Sequence, residues 1–245
     1  FSGCVNIKSV ALNEGLTRIN YGAFSGTSIA EIDIPATVTE IQRYAFASCL
    51  NLKKVTFHEG LRYIDDYAFK DCRMLTGKLI IPSTTTSIGQ YTFSGTAITG
   101  LAIEEGTAGI QLGRQAFSNC TSLNELDLKR VTVIGSNCFE NDTAITGITL
   151  PQEVETIGSY AFYGANNLGG DLVIPSTVTS IEEGAFAGTS INSLTIGEGN
   201  GGMTIGAYAF EKCVNLKYAN LSNRIKEIRT SAFQYDTMLV WVRIA

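Results

Sequence analysis

Residues that commonly perform catalysis are scarce in this sequence. Its 245 residues include a single histidine, His58, which directly follows Phe57. A general base needs partners that hold it in place, and one histidine gives no support to a Ser–His–Asp or a Cys–His arrangement. We therefore expect His58 to be a solvent-exposed turn residue, and we assign neither a catalytic residue nor an enzymatic activity to the chain.

The acidic residues and the glycine-rich stretches also lack the spacing of a reaction centre. Three acidic pairs are adjacent in sequence: Asp65–Asp66, Glu104–Glu105 and Glu182–Glu183. Glycosidases place their two carboxyl groups on either side of a substrate, so solvated charges are the better interpretation. The stretches at 104–109 and 197–202 match neither a Walker loop nor a dinucleotide fingerprint. We expect looser loops there and no bound cofactor.

The cysteines follow a single rule of position. Five of the six stand three residues after a recurring phenylalanine, where other copies carry threonine, and Cys138 directly precedes Phe139. Because free cysteine is among the most buried residue types, we expect free, buried thiols. A metal site is not expected, since C-x-x-C pairs and histidine partners are lacking. A disulfide remains open only for two cysteines in adjacent repeats. The five are Cys4, Cys49, Cys72, Cys120 and Cys213, and the adjacent pair is Cys49 with Cys72.

All these residues belong to a repeat of 22 to 24 residues that runs through the whole chain. A phenylalanine marks each copy, and an aliphatic residue stands five positions before each of the last ten. A period of this length is typical of a solenoid, in which each repeat contacts only its neighbours and the array is one domain. The phenylalanines are Phe1, Phe24, Phe46, Phe69, Phe93, Phe117, Phe139, Phe162, Phe186, Phe210 and Phe233.

A second pattern, L-x-x-L-x-L, lies between the phenylalanines, as at Ile191, Leu194 and Ile196. Alternation over its last three positions predicts a strand with one buried face and one open face. The last such strand is predicted over 239–245. Proline lacks the N–H that a ladder requires and suits a strand end. All four prolines directly follow such a strand, at Pro35, Pro82, Pro151 and Pro175.

Together the patterns read L-x-x-L-x-[LI]-P-x-x-V-x-x-I-G-x-x-A-F-x-x-C, which resembles the BspA-type leucine-rich repeat. The resemblance covers the chain from end to end. It implies one solenoid domain over residues 1–245, with about ten and a half repeats. A curved parallel sheet would form the concave face, and short 3-10 or helical turns with extended segments would form the convex face. Because the family occurs in surface proteins of bacteria and some protozoa, the resemblance also implies an extracellular or cell-surface location.

Composition argues against a nucleic-acid-binding protein and against a membrane-spanning segment. A net charge of −5 without a basic stripe argues against nucleic-acid binding. No apolar run reaches the ~18 residues that a membrane-spanning helix needs, so we expect no membrane insertion by this segment. Both ends fall within a repeat and lack the polar caps that solenoids need, which predicts a segment of a longer protein. We expect a monomer.

The outward strand positions are the remaining candidates for a functional site, because solenoids bind partners along the inner curve of the sheet. Tyr, Trp and Arg are enriched at binding hot spots, although Trp241 could equally pack against a following repeat. The leading hypothesis is a protein partner, and the resemblance implies a host extracellular-matrix or plasma protein. A glycan-binding surface and a spacer that carries another domain are the alternatives. The predicted contact residues are Glu31, Asp33, Lys54, Lys78, Glu125, Asp127, Asp171, Tyr218, Asn220, Trp241 and Arg243.

Overall fold

In the computed structural model, which describes residues 1–244, the chain winds into a parallel β-solenoid. One repeat makes one coil, and each strand pairs with the equivalent strand of the neighbouring coil. This architecture confirms the predicted leucine-rich-repeat solenoid. Ala245, the last residue of the strand predicted over 239–245, lies outside the described residues.

Nineteen strands and no helix are present in residues 1–244. In chain order the strands are β1 (Arg18–Ile19), β2 (Glu31–Asp33), β3 (Glu40–Ile41), β4 (Lys54–Thr56), β5 (Tyr63–Ile64), β6 (Thr76–Ile81), β7 (Ser87–Ile88), β8 (Ala97–Ile103), β9 (Ile110–Leu112), β10 (Glu125–Asp127), β11 (Val131–Ile134), β12 (Thr156–Ile157), β13 (Gly169–Ile174), β14 (Ser180–Ile181), β15 (Ser190–Ile196), β16 (Met203–Ile205), β17 (Tyr218–Leu221), β18 (Ile225–Ile228) and β19 (Trp241–Ile244).

The V-x-x-I segments form the longest ladder of the solenoid. Their strands are only two to four residues long, yet ten of them pair in parallel without interruption, in the order β1-β3-β5-β7-β9-β11-β12-β14-β16-β18. The register matches equivalent aliphatic residues, for example Ile41 with Ile64 and Ile64 with Ile88. β-branched residues suit such a half-buried ladder, so the extended segments predicted for the convex face are present and hydrogen-bonded from coil to coil.

The L-x-x-L-x-L segments form a second ladder, which is interrupted. It consists of three sheets, β2-β4, β6-β8-β10 and β13-β15-β17-β19. In β2 the residues alternate as predicted: Ile32 is buried between the exposed Glu31 and Asp33. Residues 145–150, between β10 and β13, make no paired strand, so the ladder divides the outward-facing residues into separate groups.

The segment around each phenylalanine forms a tight turn that is not helical, unlike the predicted 3-10 or helical turn. Two residues with positive φ bracket the ring, such as Tyr67 (61°) and Asp71 (58°) around Phe69. A left-handed residue at each side breaks a right-handed helix. The N–H groups of the turn bond to the next coil instead. Those of Tyr67, Phe69 and Asp71 donate to the carbonyls of Gln90, Thr92 and Ser94, at 2.8, 2.9 and 2.9 Å. These contacts compensate the backbone strain of a bulky residue at positive φ.

The phenylalanines form one continuous stack inside the solenoid. Neighbouring ring centroids lie 5.1 to 5.6 Å apart, from Phe1 through to Phe233, and the rings are nearly parallel. The central rings are fully buried, whereas Phe1 is 71% exposed. Together with the aliphatic ladders they form a single hydrophobic core, because no coil can bury its apolar side without its neighbours.

The cysteine and threonine position forms a buried column beside this stack. All six cysteines have free thiols, and five are buried as predicted. Cys4, in the first coil, is exposed, because it has a neighbouring coil on one side only. The buried side chains are held by hydrogen bonds: Cys120 Sγ donates to the Phe93 carbonyl at 3.2 Å and lies 3.3 Å from Thr96 Oγ1.

Two buried arginines fix the glycine-rich loops that were expected to be loose. Arg130 is 7% exposed and donates hydrogen bonds to the carbonyls of Pro82, Thr85, Glu104 and Ala108 at 2.7 to 3.0 Å. Arg224 is 3% exposed and donates hydrogen bonds to the carbonyls of Pro175, Val178, Gly197 and Gly201. Because each guanidinium joins three coils through backbone carbonyls, both loops are anchored to the solenoid.

Candidate functional site

The outward residues of the interrupted ladder, called the strand face below, carry all eleven predicted contact residues. Strand alternation places one residue on each side of a buried aliphatic at this face. The structure brings the predicted residues together in four groups along the stack: residues of β2 and β4, of β6 and β10, of β13, and of β17 with β19. A partner that spans the whole face would have to cross the unpaired segment at 145–150.

In the first group the charges face one another. Glu31 lies opposite Lys54 in the register of β2 and β4. Asp33 Oδ1 lies 2.7 Å from Nε2 of His58, whose side chain is 45% exposed. His58 is therefore at the surface as predicted, but it is oriented by a carboxylate of the preceding coil. An exposed contact of this kind contributes little to stability.

In the second and third groups, the charged residues again contact neighbouring side chains. Lys78 Nζ lies 3.3 Å from Glu125 Oε2, an ion pair that reaches over Gly100 in the strand between them. Asp127 Oδ2 lies 3.5 Å from Lys129 Nζ, and the charge of Asp127 raises the pKa of Lys129. Asp171 Oδ1 accepts a hydrogen bond from Ser193 Oγ at 2.6 Å. The two lysines therefore balance Glu125 and Asp127, whereas Asp171 keeps its negative charge.

The fourth group contains the large side chains. Tyr218 and Trp241 are direct register partners on β17 and β19, as are Asn220 and Arg243. Tyr218 is 52% exposed and Trp241 is 47% exposed. Two adjacent aromatic residues, next to an amide and a guanidinium, form the part of the strand face with the composition of a binding hot spot.

The acidic pairs have a structural role that the sequence analysis did not identify. Asp66 Oδ1 accepts the Gln90 N–H at 2.8 Å and Oδ2 pairs with Arg43 at 3.3 Å, while burial raises the pKa of Asp65. Glu182 Oε2 accepts both the N–H and the hydroxyl of Ser159 at 2.9 Å. Asp66 and Glu182, together with Glu183, which accepts a hydrogen bond from the Tyr160 hydroxyl, therefore connect neighbouring coils, which is a different role from a solvated charge.

Several tyrosines on the turn segments were also missed. Tyr44, Tyr67 and Tyr91 stack face to face at 4.7 and 5.0 Å, and Lys70 Nζ lies 5.6 and 5.3 Å from the centroids of Tyr67 and Tyr91. The signal was present in the sequence, since each tyrosine stands two residues before a repeat phenylalanine. Because the rings cover one another, the middle of this row presents ring edges and hydroxyls, and its ring faces cannot form a stacking platform.

Residues 1–244 hold no cluster of three His, Cys, Asp or Glu side chains placed to bind a metal ion. Nor does this part of the chain contain a helix with the length and hydrophobicity of a membrane span.

The sequence profile described as the BspA-type leucine-rich repeat region, with six copies, matches residues 1–99, 43–169, 86–200 and 170–244. Among solved structures, the chain is similar to a leucine-rich repeat protein from Bacteroides ovatus. The identity is 25% and the TM-score 0.55, over 99% of this chain and 74% of that one.

Two further solved structures resemble the chain at lower similarity. A leucine-rich cell surface protein from Faecalibacterium prausnitzii is 23% identical, with a TM-score of 0.47 over 89% of this chain and 79% of that chain. The pneumococcal vaccine antigen PcpA is 22% identical, with a TM-score of 0.47 over 88% of this chain and 63% of that chain. A comparison with curated proteins found no match.

Proposed function

The chain belongs to the BspA-type leucine-rich repeat family, and we propose that it is a non-catalytic domain that binds a protein partner through its strand face. The partner rests against the group formed by Tyr218, Asn220, Trp241 and Arg243. Leucine-rich repeats display an extended sheet whose outward positions vary freely, because only the inward positions form the core.

One observation carries this proposal: Tyr218 and Trp241 are register partners on β17 and β19, and Tyr218 is 52% exposed. Large aromatic side chains lose little conformational entropy on binding and supply most of the contact energy of many interfaces. Elsewhere on the strand face, Lys78 already pairs with Glu125 and Asp127 with Lys129. A partner therefore gains more at the aromatic group than at the paired charges.

The proposed location is the bacterial cell surface or the extracellular space. Family membership supports it, since BspA-type repeats occur in surface proteins. On this proposal the partner is a host extracellular-matrix or plasma protein, and the predicted charged residues from Glu31 to Asp171 set orientation more than affinity.

The test begins with a pull-down from serum and from matrix extract, followed by affinity measurements on each captured protein. Trp241→Ala and Tyr218→Ala should each weaken binding about 30-fold, the equivalent of about 2 kcal/mol. Ile80→Ala is the matched control, because Ile80 lies on the same face and is 52% exposed; it should change the affinity less than threefold. If every captured protein binds both aromatic variants as well as the parent chain, the strand face is not the site, and a spacer role becomes the better account.

A further inference from the structure

A second candidate site lies on the turn segments, away from the strand face, in the column of residues two positions after each phenylalanine. Every one of these residues has a positive φ, and most coils place a side chain there. Two consecutive coils have glycine instead, at Gly164 and Gly188. On either side of them the column continues with Asn141 and Lys212.

Positive φ by itself does not require these two glycines. At the same position Asn119 has φ 60°, Asn141 has φ 61° and Lys212 has φ 59°, against 75° for both glycines. Residues other than glycine are therefore compatible with this turn when its N–H groups are hydrogen-bonded to the next coil. What the glycines provide is space: the Asn141 side chain enters the space above Gly164, and the space above Gly188 stays open, since a Cβ there would meet nothing closer than 3.7 Å.

The walls of the notch combine an aromatic ring with balanced polar groups. Tyr163 is 45% exposed, and the equivalent residue of the next coil is the small, buried Ala187. Tyr160 meets the Tyr163 ring edge-on at 5.7 Å, so this ring, unlike the stacked tyrosines of the first coils, is not covered by a parallel neighbour among residues 1–244. Asn141 and Asn166 contribute amides, and Lys212 Nζ lies 3.1 Å from Glu211 Oε1.

We propose that this notch binds a neutral sugar, as one hexose-sized unit of a glycan. The cleft has a volume of about 400 Å³, within the range of small-ligand sites. Amide groups both donate and accept hydrogen bonds, which suits adjacent hydroxyl groups. The Glu211–Lys212 pair adds no net charge, so a polyhydroxy ligand fits better than an anion or a cation. The exposed Tyr163 ring receives the apolar C–H face of the sugar.

The first two coils provide an internal comparison. Gly3 and Gly26 occupy the same column in consecutive coils, with φ values of 71° and 67°. There the residues that correspond to Tyr163 are Ser2 and Ser25, so that notch has no aromatic wall. The combination of two adjacent glycines with an aromatic neighbour occurs at the 164–188 notch, which makes Gly26 a matched control position.

The site can be tested by saturation-transfer NMR with free glucose, galactose, mannose, N-acetylglucosamine and N-acetylgalactosamine, with sialic acid as the anionic probe. At least one neutral sugar should receive saturation. Gly188→Asn should abolish that signal or weaken the affinity at least tenfold, because the new side chain fills the notch; a Cβ there meets nothing closer than 3.7 Å. Tyr163→Ala should weaken it at least fivefold.

Gly26→Asn should leave the affinity within twofold of the parent chain, because its Cβ meets nothing closer than 3.9 Å and that notch lacks the aromatic wall. Trp241→Ala should also leave the sugar signal unchanged, so failure of the strand-face proposal and failure of this one are distinguishable. Melting temperatures equal to the parent value show that each variant is folded. The proposal is overturned if no neutral sugar is detected, if sialic acid alone binds, or if Gly188→Asn and Tyr163→Ala bind the sugar like the parent chain.

Discussion

Two buried carboxyl groups should make the stability of the solenoid depend on pH. Asp142 and Asp236 occupy the column that holds cysteine or threonine in other coils. Oδ1 of each accepts a backbone N–H, from Cys120 at 2.7 Å and from Cys213 at 2.8 Å. Oδ2 of each is buried and has no hydrogen-bond partner within residues 1–244. A buried carboxylate without a cation is costly, so both groups favour the protonated form.

Burial raises the pKa of Asp236 from 3.8 to about 7, partly opposed by the Cys213 N–H and supported by the nearby charge of Glu211. Burial likewise raises the pKa of Asp142, opposed by the Cys120 N–H and supported by Glu140. A carboxyl with a raised pKa in the folded state binds its proton more tightly than in the unfolded chain. The contribution of Asp236 to folding stability therefore falls as the pH rises from about 4 to about 7, and that of Asp142 also falls with rising pH.

The magnitude follows from the Asp236 shift of about three pH units. At 1.36 kcal/mol per unit the ceiling is about 4 kcal/mol. Because Asp236 lies in the last described coil and retains some solvent contact, we discount this for screening to about 2 kcal/mol. For a chain of this length, such a change corresponds to roughly 4 to 8 °C in melting temperature.

The assay is thermal or urea unfolding of the parent chain and of Asp236→Asn at pH 5 and pH 8. Asparagine keeps the oxygen that accepts the Cys213 N–H and cannot ionise. We expect the parent chain to lose about 1 kcal/mol more than Asp236→Asn between the two pH values, because the part of the loss below pH 5 is not sampled. Asp171→Asn, on the exposed strand face, is the control and should follow the parent chain. Equal pH dependence in the parent chain and Asp236→Asn would refute the reasoning.

Two further predictions concern the core and the anchored loops. Phe117→Ala should lower the free energy of unfolding by about 3 to 5 kcal/mol through the cavity it leaves. Phe1→Ala should have a small effect, because Phe1 is 71% exposed. Equal losses of stability in urea unfolding would contradict the stacked core. Arg130→Met should lower the free energy of unfolding by about 3 kcal/mol, because it leaves buried carbonyls without a donor. The control is Arg62→Met, at an exposed arginine, which should lower it by less than about 0.5 kcal/mol in the same measurement.

The inward-facing residues could be predicted from the sequence almost completely. Ten aliphatic residues at one fixed distance from the phenylalanines and four prolines at one position identify the inward residues and the ends of the strands. Repetition makes this possible, because equal spacing places equal positions of successive coils above one another. The stack from Phe1 to Phe233 and the buried column with Cys72 and Cys120 follow from that spacing alone.

The turns could not be predicted in the same way. Tyr44, Tyr67 and Tyr91 adopt positive φ values, although a bulky side chain disfavours that conformation locally. The N–H groups of the turn bond to the next coil, so the energy that holds this backbone comes from contacts more than twenty residues away. Local sequence preferences do not report these contacts between coils, which is why a helical turn was expected.

The sequence by itself determined the architecture: its period, its strands, its core and the face on which the predicted contact residues lie. Only the tertiary structure decided which residues outside the core act together. It placed Tyr218 beside Trp241, opened the notch at Gly164 and Gly188, and buried Asp142 and Arg130. The physical reason is that core positions are equivalent in every coil, whereas these residues depend on the particular side chains that the neighbouring coils bring next to them.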